Sequence, residues 1–464
     1  MPIFSLPGKY GIGTLGKEAY AFADFLREAG QSYWQILPVG PTGYGDSPYQ
    51  SFSTFAGNPY FIDLPTLTEE GLLTEDECDE ADFGTRQRTI SYDHMYYERF
   101  PLLNLAFQRF RPDASYDAFI KENHYWLDAY AAFMEKKSGY PAEFHCFLQY
   151  KFLQQWDAFR SYVNALGIKI IGDIPIYVSG DSSDVQVDPK LFQLGPDGRP
   201  TAVAGCPPDA FSADGQLWGN PLYDWDYHKK TGYSWWIQRM KHCFRLYDIV
   251  RVDHFRGFDE YYSIPYGDKT AKNGHWVKGP GIDLFNHLKE ALGDRQIIAE
   301  DLGYITDSVK KLVADSGYPG MKVLEFAFDS REAADYRPST WPEHSVAYTG
   351  THDNQTLRAW FYELDDADRK MAADYLGETV EELEKEDYVG RFIRLAMDSV
   401  SETVIIPLQD YKRFGKEARI NHPSTLGQNW TFRFIHSDFD SALLEEIKDV
   451  TKESGRYAGI EADN

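Results

Sequence analysis

The sequence predicts an α/β fold in which a parallel sheet is wrapped by helices. Short apolar runs of strand type alternate with longer stretches of helical pattern along the 464 residues. Each strand-type run is apolar at consecutive positions, as expected for a strand covered on both faces. The length exceeds the usual upper limit for a chain with a single hydrophobic core, yet a (β/α)8 barrel with insertions reaches it as one domain. We therefore expect a single (β/α)8 TIM barrel over residues 1–464.

The helical and strand-type segments follow one another in a regular order. Helical patterns predict helices over residues 16–29, 144–166, 235–246, 281–292 and 308–316, with another that begins at residue 354. Apolar runs predict strands over residues 33–39, 169–174, 248–253, 296–301, 321–328, 346–349 and 403–408.

Two stretches interrupt this alternation and are predicted to be insertions. Residues 63–140 are charged and rich in helical pattern, which indicates a helical subdomain. Residues 178–227 are rich in glycine, proline, aspartate and aromatic residues, which is typical of long loops. Because barrel enzymes carry their chemistry on the loops that follow the strands, we expect the second stretch to shape a substrate groove.

Charge and cysteine content argue against several classes of protein. With 47 basic and 72 acidic residues the formal net charge is −25, which argues against nucleic acid or an anionic membrane as partner. No apolar run approaches the roughly 20 residues that span a bilayer. The four cysteines form no C-x-x-C or C-x-x-H pair, so neither a redox motif nor a zinc site is indicated. We expect reduced thiols, a cytoplasmic location, and no metal or cofactor.

Four acidic residues stand where predicted strands end, namely Asp173, Asp253, Glu300 and Asp353. A carboxylate at the end of a buried strand is costly to desolvate unless it is paired or used. The ends of successive barrel strands converge on one pocket, so we expect the four side chains to meet there. Retaining glycosyl transfer needs a carboxylate nucleophile and a carboxylic acid about 5–5.5 Å apart, and this set can supply them.

A structural role is the alternative for each of these residues taken singly. A strand-end aspartate is often a helix cap or an ion-pair partner, and His352 alone could equally be a satisfied histidine behind the site. The combination is harder to explain in that way, because Arg251 precedes Asp253 by two residues and His352 stands beside Asp353. The high aromatic content, 16%, suits the flat faces of sugars, although most of these rings will be structural.

The motifs around these acids resemble a known family. VRVDHFRG, AEDLG and TGTHDNQT look like the second, third and fourth signature regions of the α-amylase clan, in the same order. A wider set resembles the amylomaltase (disproportionating enzyme, 4-α-glucanotransferase) family: SLPGKYGIGTLG, GDSPYQSFSTFAGNPYFIDL, GDIPIYV, PPDAFSADGQLWGNPLYDW and EARINHPSTLGQNW. The resemblance runs from Ser5 to about Trp430 and covers nearly the whole chain.

The resemblance implies a retaining transfer of α-1,4-glucan segments to the 4-hydroxyl of glucose or of a maltooligosaccharide, with these sugars as the partners and no cofactor. Asp253 would be the nucleophile that forms a β-glucosyl ester, and Arg251 would keep it ionised. Glu300 would be the general acid and then the base, so its surroundings should raise its pKa. Asp353 would hold the 2- and 3-hydroxyls of the reacting sugar.

The substrate-binding residues implied by the resemblance lie at strand ends and on loops: Asp173, Arg251, His352, Trp218, Asp209, Tyr44 and Tyr49. Residues 207–218 would form a lid over the acceptor, with Asp209 near the acid and Trp218 against a sugar. Tyr44 and Tyr49 belong to an aromatic loop after the expected strand at residues 33–39, where each is as compatible with packing as with a sugar platform.

Several features bear on the alternatives. Pro175-Ile176 follows Asp173 where hydrolytic amylases usually carry Asn-His, and about sixty residues after position 408 are too few for a C-terminal β-sandwich domain. Residues 11–16 match G-x-G-x-x-G, but no acidic residue ends a second strand at the spacing of a dinucleotide site. The family normally has more residues before the motif at Ser5, so we expect a shortened first strand. An α-glucan hydrolase and a glucan-binding barrel without activity remain as alternatives.

Overall fold

A computed structural model describes residues 1–43, 45–84, 86–208, 213–331 and 335–458. Over these ranges, seven parallel strands form a nearly closed barrel and neighbour one another in chain order. They are β1 (Tyr33–Gln35), β2 (Lys169–Pro175), β3 (Ile249–Asp253), β4 (Ile297–Ala299), β5 (Gly320–Val323), β6 (Ser345–Tyr348) and β7 (Thr403–Ile405). The α/β barrel predicted from the sequence is confirmed.

Helices connect most of the consecutive strands. The helix before β1 is Lys17–Glu28, and those between β1 and β5 include Ala142–Ala165, Ser234–Leu246, Ile282–Leu292 and Asp307–Ser316. The chain between β5 and β6 has the 3-10 turns Leu324–Phe326 and Pro338–Thr340. The helices between β6 and β7 are Leu357–Glu363, Asp366–Leu376, Val380–Lys385 and Tyr388–Met397, and those after β7 are Leu408–Tyr411 and Ser441–Glu453. The helices predicted from the sequence lie close to these bounds.

The burial pattern explains why these segments assemble as they do. In the helix before β1, Ala19, Phe22, Ala23 and Leu26 are buried, and their spacing places them on one face. All four residues of β6 are buried, and in β3 only the terminal Asp253 is partly exposed. Strands buried on both faces need helices outside the barrel and packed side chains inside it.

The start of the chain differs from the strand expected there. Ile3–Ser5 forms a 3-10 turn, and the Met1 amine donates to the Gln35 carbonyl of β1 at 3.2 Å. The Trp34 indole N–H donates in turn to the Met1 carbonyl at 2.7 Å. Pro2 has no backbone N–H to donate to a neighbouring strand, which favours a turn over ladder pairing.

Residues 63–140 form a set of helices that pack against Ala142–Ala165. They are Leu64–Glu69, Glu75–Glu80, Tyr92–His94, Phe100–Arg109 and Ala114–Ser138, with a π-helical turn at Met95–Arg99. Asp63 caps the first of these helices, and Thr74 and Glu77 form a reciprocal capping box on the second. Each of these two short helices is thus fixed at its N-terminus by its own sequence.

The interpretation of residues 178–227 as loops was wrong in part. A separate antiparallel sheet has, in spatial order, the strands Gln216–Pro221, Ala202–Cys206, Glu260–Pro265 and His275–Lys278, and the first two belong to this stretch. The stretch also contains the helix Ser183–Val187, and the helix Trp225–Lys230 begins at its end. Glycines at positions 205 and 219 interrupt the apolar alternation, and the strand register shifts between Val203 and Gly205. A strand of this kind gives a weak sequence signal.

Candidate active site

The strand register brings the predicted acidic residues together at the C-terminal edge of the barrel. Asp173 on β2 is the direct neighbour of Arg251 on β3. The pairing of β3 with β4 ends one residue before Asp253 and Glu300, so these two acids also follow neighbouring positions. Asp353 lies in a turn after β6 and interacts electrostatically with Asp253. The barrel therefore assembles all four acids at one edge, as the sequence analysis predicts.

Arg251 links two of these acids. Its Nη1 atom lies 2.8 and 2.7 Å from the two carboxylate oxygens of Asp173 and 3.0 Å from Oδ1 of Asp253. Arg251 and Asp173 are buried, whereas the Asp253 side chain is 31% exposed. The Arg251 Nε–H contacts Sδ of Met321 on β5 at 3.2 Å. The guanidinium is thus fixed from two sides and directed at Asp253, whose ionised form it stabilises.

Asp253 and Glu300 have different electrostatic surroundings. Burial raises the pKa of Glu300 well above its usual range, and the Asp253 charge raises it further. Burial also raises the pKa of Asp253, but the Arg251 guanidinium opposes that rise. Because the cation contacts Asp253 directly, it favours ionisation of Asp253 over ionisation of Glu300. The direction of the Glu300 shift is the one that the sequence analysis expects.

Backbone amides hold the Glu300 carboxyl group in place. Oε2 accepts a hydrogen bond from the His254 N–H at 2.6 Å, and Oε1 accepts one from the Leu302 N–H at 2.9 Å. His254 has a φ of 53°, in the left-handed region that non-glycine residues rarely adopt. Sequence reasoning missed this contribution of His254, because the VRVDHFRG motif carries no signal for a positive φ.

Tyr49 and His352 form a stacked pair beside Asp173. The Tyr49 hydroxyl donates to Asp173 Oδ2 at 2.8 Å and lies 3.3 Å from His352 Nδ1. The two rings are stacked with centroids 4.8 Å apart, and the Trp430 ring lies next to both. His352 Nε2 lies 3.4 Å from Asp353 Oδ1. This cluster therefore connects Asp173 with Asp353 across the edge of the barrel.

A distant segment contacts Asp353. Oδ1 of this half-exposed residue accepts a hydrogen bond from Asn421 Nδ2 at 2.6 Å, and its carbonyl accepts one from Arg419 Nη2 at 2.6 Å. Sequence reasoning assigned no role to Asn421 or Arg419, although both stand in the quoted motif EARINHPSTLGQNW. The partners are 68 and 66 positions apart, so no local pattern reveals the contacts.

Trp218 lies on the strand Gln216–Pro221, so the segment predicted as a lid includes part of a sheet. Its indole meets the His254 imidazole edge to face, with centroids 4.8 Å apart. The backbone N–H of His254 also donates to Glu300, so His254 connects the Trp218 ring with the acid. The predicted contacts Asp209 and Tyr44 lie outside the described residues.

The G-x-G-x-x-G run at residues 11–16 serves chain packing. A Cβ atom at Gly13 would collide with the Ile3 carbonyl, and one at Gly16 would collide with the Asp63 carboxylate. Asp63 therefore lies against the start of the helix that follows this run. A carboxylate repels the phosphate that a dinucleotide site would need there, which argues against the dinucleotide alternative.

Arg251→Leu is expected to destabilise the fold strongly. It leaves the fully buried Asp173 carboxylate without its cation, and breaking a buried pair in this way costs about 3–5 kcal/mol of unfolding free energy. Urea unfolding at pH 7 measures the loss. The double variant Asp173→Asn/Arg251→Leu removes the unpaired charge and should recover part of it. A single variant as stable as the parent would contradict this pairing.

Comparison with known proteins identifies the family of this chain. A family model described as 4-alpha-glucanotransferase matches residues 1–143 and 135–437. The chain belongs to the 4-alpha-glucanotransferase family. Its activity is the transfer of α-1,4-glucan segments, and the family predicted from the motifs is confirmed.

Similar proteins agree with this family. The 4-alpha-glucanotransferase of Clostridium butyricum is 46% identical over 98% of this chain and 100% of its own length. That of Thermus thermophilus is 43% identical over 97% of each. The amylomaltase of Streptococcus agalactiae, solved in complex with acarbose, is 39% identical with a TM-score of 0.94 over 98% of both chains. The amylomaltase of Corynebacterium glutamicum, at 18% identity, shares the fold with a TM-score of 0.81 over 99% of this chain and 74% of that one.

Two further observations concern metal ions and membranes. Within the described ranges, no group of three or more His, Cys, Asp and Glu side chains is arranged to hold a metal ion. The same part of this transferase contains no helix that is both long and apolar enough to cross a membrane.

Proposed function

We propose that Asp253 is the nucleophile and Glu300 the acid–base residue of a double displacement on α-1,4-glucans. The contrast between the two carboxyl groups carries this assignment. Arg251 lies 3.0 Å from Asp253, whereas burial raises the pKa of Glu300. A nucleophile must be ionised and a general acid protonated at the same pH, and opposite surroundings allow both.

In the first step, an Asp253 oxygen attacks the anomeric carbon of the donor sugar as the bond to the departing oxygen breaks. The Glu300 proton passes to that oxygen, so the shortened glucan leaves with a neutral 4-hydroxyl. A β-glucosyl ester on Asp253 and an ionised Glu300 remain. In the second step, Glu300 takes the proton of the acceptor 4-hydroxyl, whose oxygen attacks the anomeric carbon and releases Asp253. Two inversions restore the α configuration.

Asp353 and His352 are proposed to hold the reacting glucose. The half-exposed Asp353 carboxylate is open to a ligand, and hydrogen bonds from the 2- and 3-hydroxyls strengthen as the ring flattens towards an oxocarbenium ion. Asp173 is fully buried behind Arg251 and Tyr49. We therefore propose that Asp173 supports Arg251 and Tyr49, and that it does not make the direct sugar contact that the resemblance implied.

We propose glucose and maltooligosaccharides as the acceptors, bound through stacking on Trp218. Transfer prevails over hydrolysis only when a bound acceptor reaches the ester before water does. Acceptor binding must therefore position a 4-hydroxyl at Glu300 and exclude water. Trp218 suits this purpose because its ring packs on His254, whose N–H holds the acid. A stacked sugar would cover the approach to Glu300.

Incubation with maltotriose as the only sugar tests the proposed function. Transfer gives a ladder of longer glucans together with glucose and maltose, which thin-layer chromatography separates. Hydrolysis gives short products alone, and a protein that merely binds glucans leaves maltotriose unchanged. Either of these two results would refute the proposal.

Trp218→Ala is expected to raise the ratio of hydrolysis to transfer. Loss of a stacking surface worth about 1–2 kcal/mol weakens acceptor binding by about 5- to 30-fold, while the chemistry at Asp253 continues. The increase in reducing ends measures hydrolysis, because transfer conserves their number, and the longer glucans formed in the same samples measure transfer. Leu217→Ala is the matched control, since Leu217 precedes it on the strand and faces the other way. Equal losses in both activities would make Trp218 a packing residue.

A further inference from the structure

The Asp353 carboxylate is held on one side by a residue from a distant segment. Asn421 Nδ2 donates to Oδ1 at 2.6 Å, and His352 Nε2 lies 3.4 Å from the same oxygen. Both contacts converge on Oδ1, so they fix the rotation of a carboxylate whose side chain is 48% exposed. Oδ2 is then the oxygen that is presented to a ligand.

The backbone around Asn421 is tied to the same turn. The Asn421 N–H donates to the His352 carbonyl at 3.0 Å, and Arg419 Nη2 donates to the Asp353 carbonyl at 2.6 Å. Arg419 Nε also donates to the Asn421 carbonyl at 2.7 Å. These bonds place the Asn421 side chain relative to Asp353, and they persist when that side chain is replaced.

The segment that carries Asn421 is anchored in turn. The Trp430 N–H donates to the Ile420 carbonyl at 2.7 Å, and the His422 N–H donates to Asn429 Oδ1 at 2.9 Å. Ile420 and Trp430 are both buried. Asn421 therefore donates from a fixed edge of its loop.

We propose that Asn421 is a positioning residue that holds the Asp353 carboxylate oriented for the sugar hydroxyls. The inference rests on the role proposed above for Asp353. The amide N–H of Asn421 forms a charge-assisted hydrogen bond to the Asp353 carboxylate, and it adds no charge to the site. A carboxylate at position 421 would face Asp353 with like charge, and two such groups can stay in contact only by sharing a proton.

The titratable and charged side chains around Asp353 come from four parts of the fold: His352 on the same turn, Asp253 at the end of β3, Tyr49 on the loop after β1, and Arg419 beside Asn421. All of them are retained in a variant of Asn421. A change in the pH profile that appears only with Asn421→Asp therefore reports the interaction of the new carboxyl group with Asp353.

Three variants test the proposal, with maltotriose as donor and acceptor. Asn421→Leu removes the donor, and its kcat should fall about ten- to a hundredfold with KM nearly unchanged, the range for a lost charge-assisted hydrogen bond. Asn421→Asp should be as slow as Asn421→Leu at pH 7.5. The ratio of its kcat to that of the parent should then rise at least about fivefold between pH 7.5 and pH 5, because its protonated form donates to Asp353. Asn429→Ala loosens the same loop without touching Asp353 and should keep the parent's pH profile and most of its kcat.

A parent-like pH profile for Asn421→Asp, or a kcat for Asn421→Leu within twofold of the parent, overturns the proposal. An equal loss in Asn429→Ala also overturns it, because loop packing would then explain the effect. Asp353→Asn separates this inference from the proposed function. If that variant keeps the parent's kcat, the role of Asp353 itself fails. If it is inactive while the Asn421 variants match the parent, only the positioning role fails. Thermal melts establish that each variant is folded.

Discussion

Asp253→Asn is expected to lower kcat on maltooligosaccharide donors by about four orders of magnitude or more. The amide has the shape of the carboxylate and can still accept a hydrogen bond from Arg251, but it cannot displace the departing oxygen. Arg251 also keeps its partner in the buried Asp173, so the melting temperature should change little. Initial rates on maltotriose at pH 7 and a thermal melt measure the two quantities.

Chemical rescue makes this test specific for the nucleophile. In Asp253→Gly, azide can enter the vacated position, attack the anomeric carbon of α-maltosyl fluoride and expel fluoride, which gives β-maltosyl azide. Asp259→Asn is the matched control, since Asp259 follows the same strand but bonds to Ser308, and it should keep most of the turnover. Turnover of Asp253→Asn within tenfold of the parent, or an azide product of α configuration from Asp253→Gly, would place the nucleophile elsewhere.

The strands that carry the acids could be predicted because burial on both faces leaves an apolar run that ends in a charged residue. The segments predicted for β3 and β4 contain the observed strands, and Asp253 and Glu300 meet at their ends. The end of a strand was harder to predict. β5 ends at Val323 and the chain continues as the 3-10 turn Leu324–Phe326, although its residues remain apolar or buried. Apolar character alone does not distinguish these two conformations.

Contacts that depend on tertiary structure could not be predicted from the sequence. The bond between Asn421 and Asp353 joins residues 68 positions apart and requires both segments at one edge of the barrel. The His254 N–H reaches Glu300 through a left-handed backbone conformation that a histidine seldom adopts. Tyr49 was predicted as an aromatic residue of a loop that binds substrate, and the fold determines that its hydroxyl reaches Asp173. Local patterns predicted the carboxylates, but the surrounding fold determines what holds them.

Glu300→Gln is expected to become more stable relative to the parent as the pH rises. The raised pKa of Glu300 means that the folded state keeps a proton that the unfolded chain has released. This contribution to stability is fully present below the unfolded value of about 4.3 and is lost as the pH rises through the folded pKa. Glutamine has no proton to lose, so the difference in melting temperature, variant minus parent, should grow between pH 5 and pH 8. A constant difference would contradict the raised pKa.

The same variant is expected to lose about 10²- to 10⁴-fold in kcat on maltotriose, because glutamine cannot protonate the departing oxygen. Fluoride leaves without a proton, so ester formation from α-maltosyl fluoride should stay within about tenfold of the parent. Azide needs no base and should then attack the ester to give α-maltosyl azide, the opposite configuration to that expected from Asp253→Gly. In the parent, kcat should fall as the pH rises through the pKa of Glu300, and the variant should lack that fall. Equal losses on both donors would mean that Glu300 acts by holding the His254 and Leu302 backbone, since its carboxyl group bonds to both.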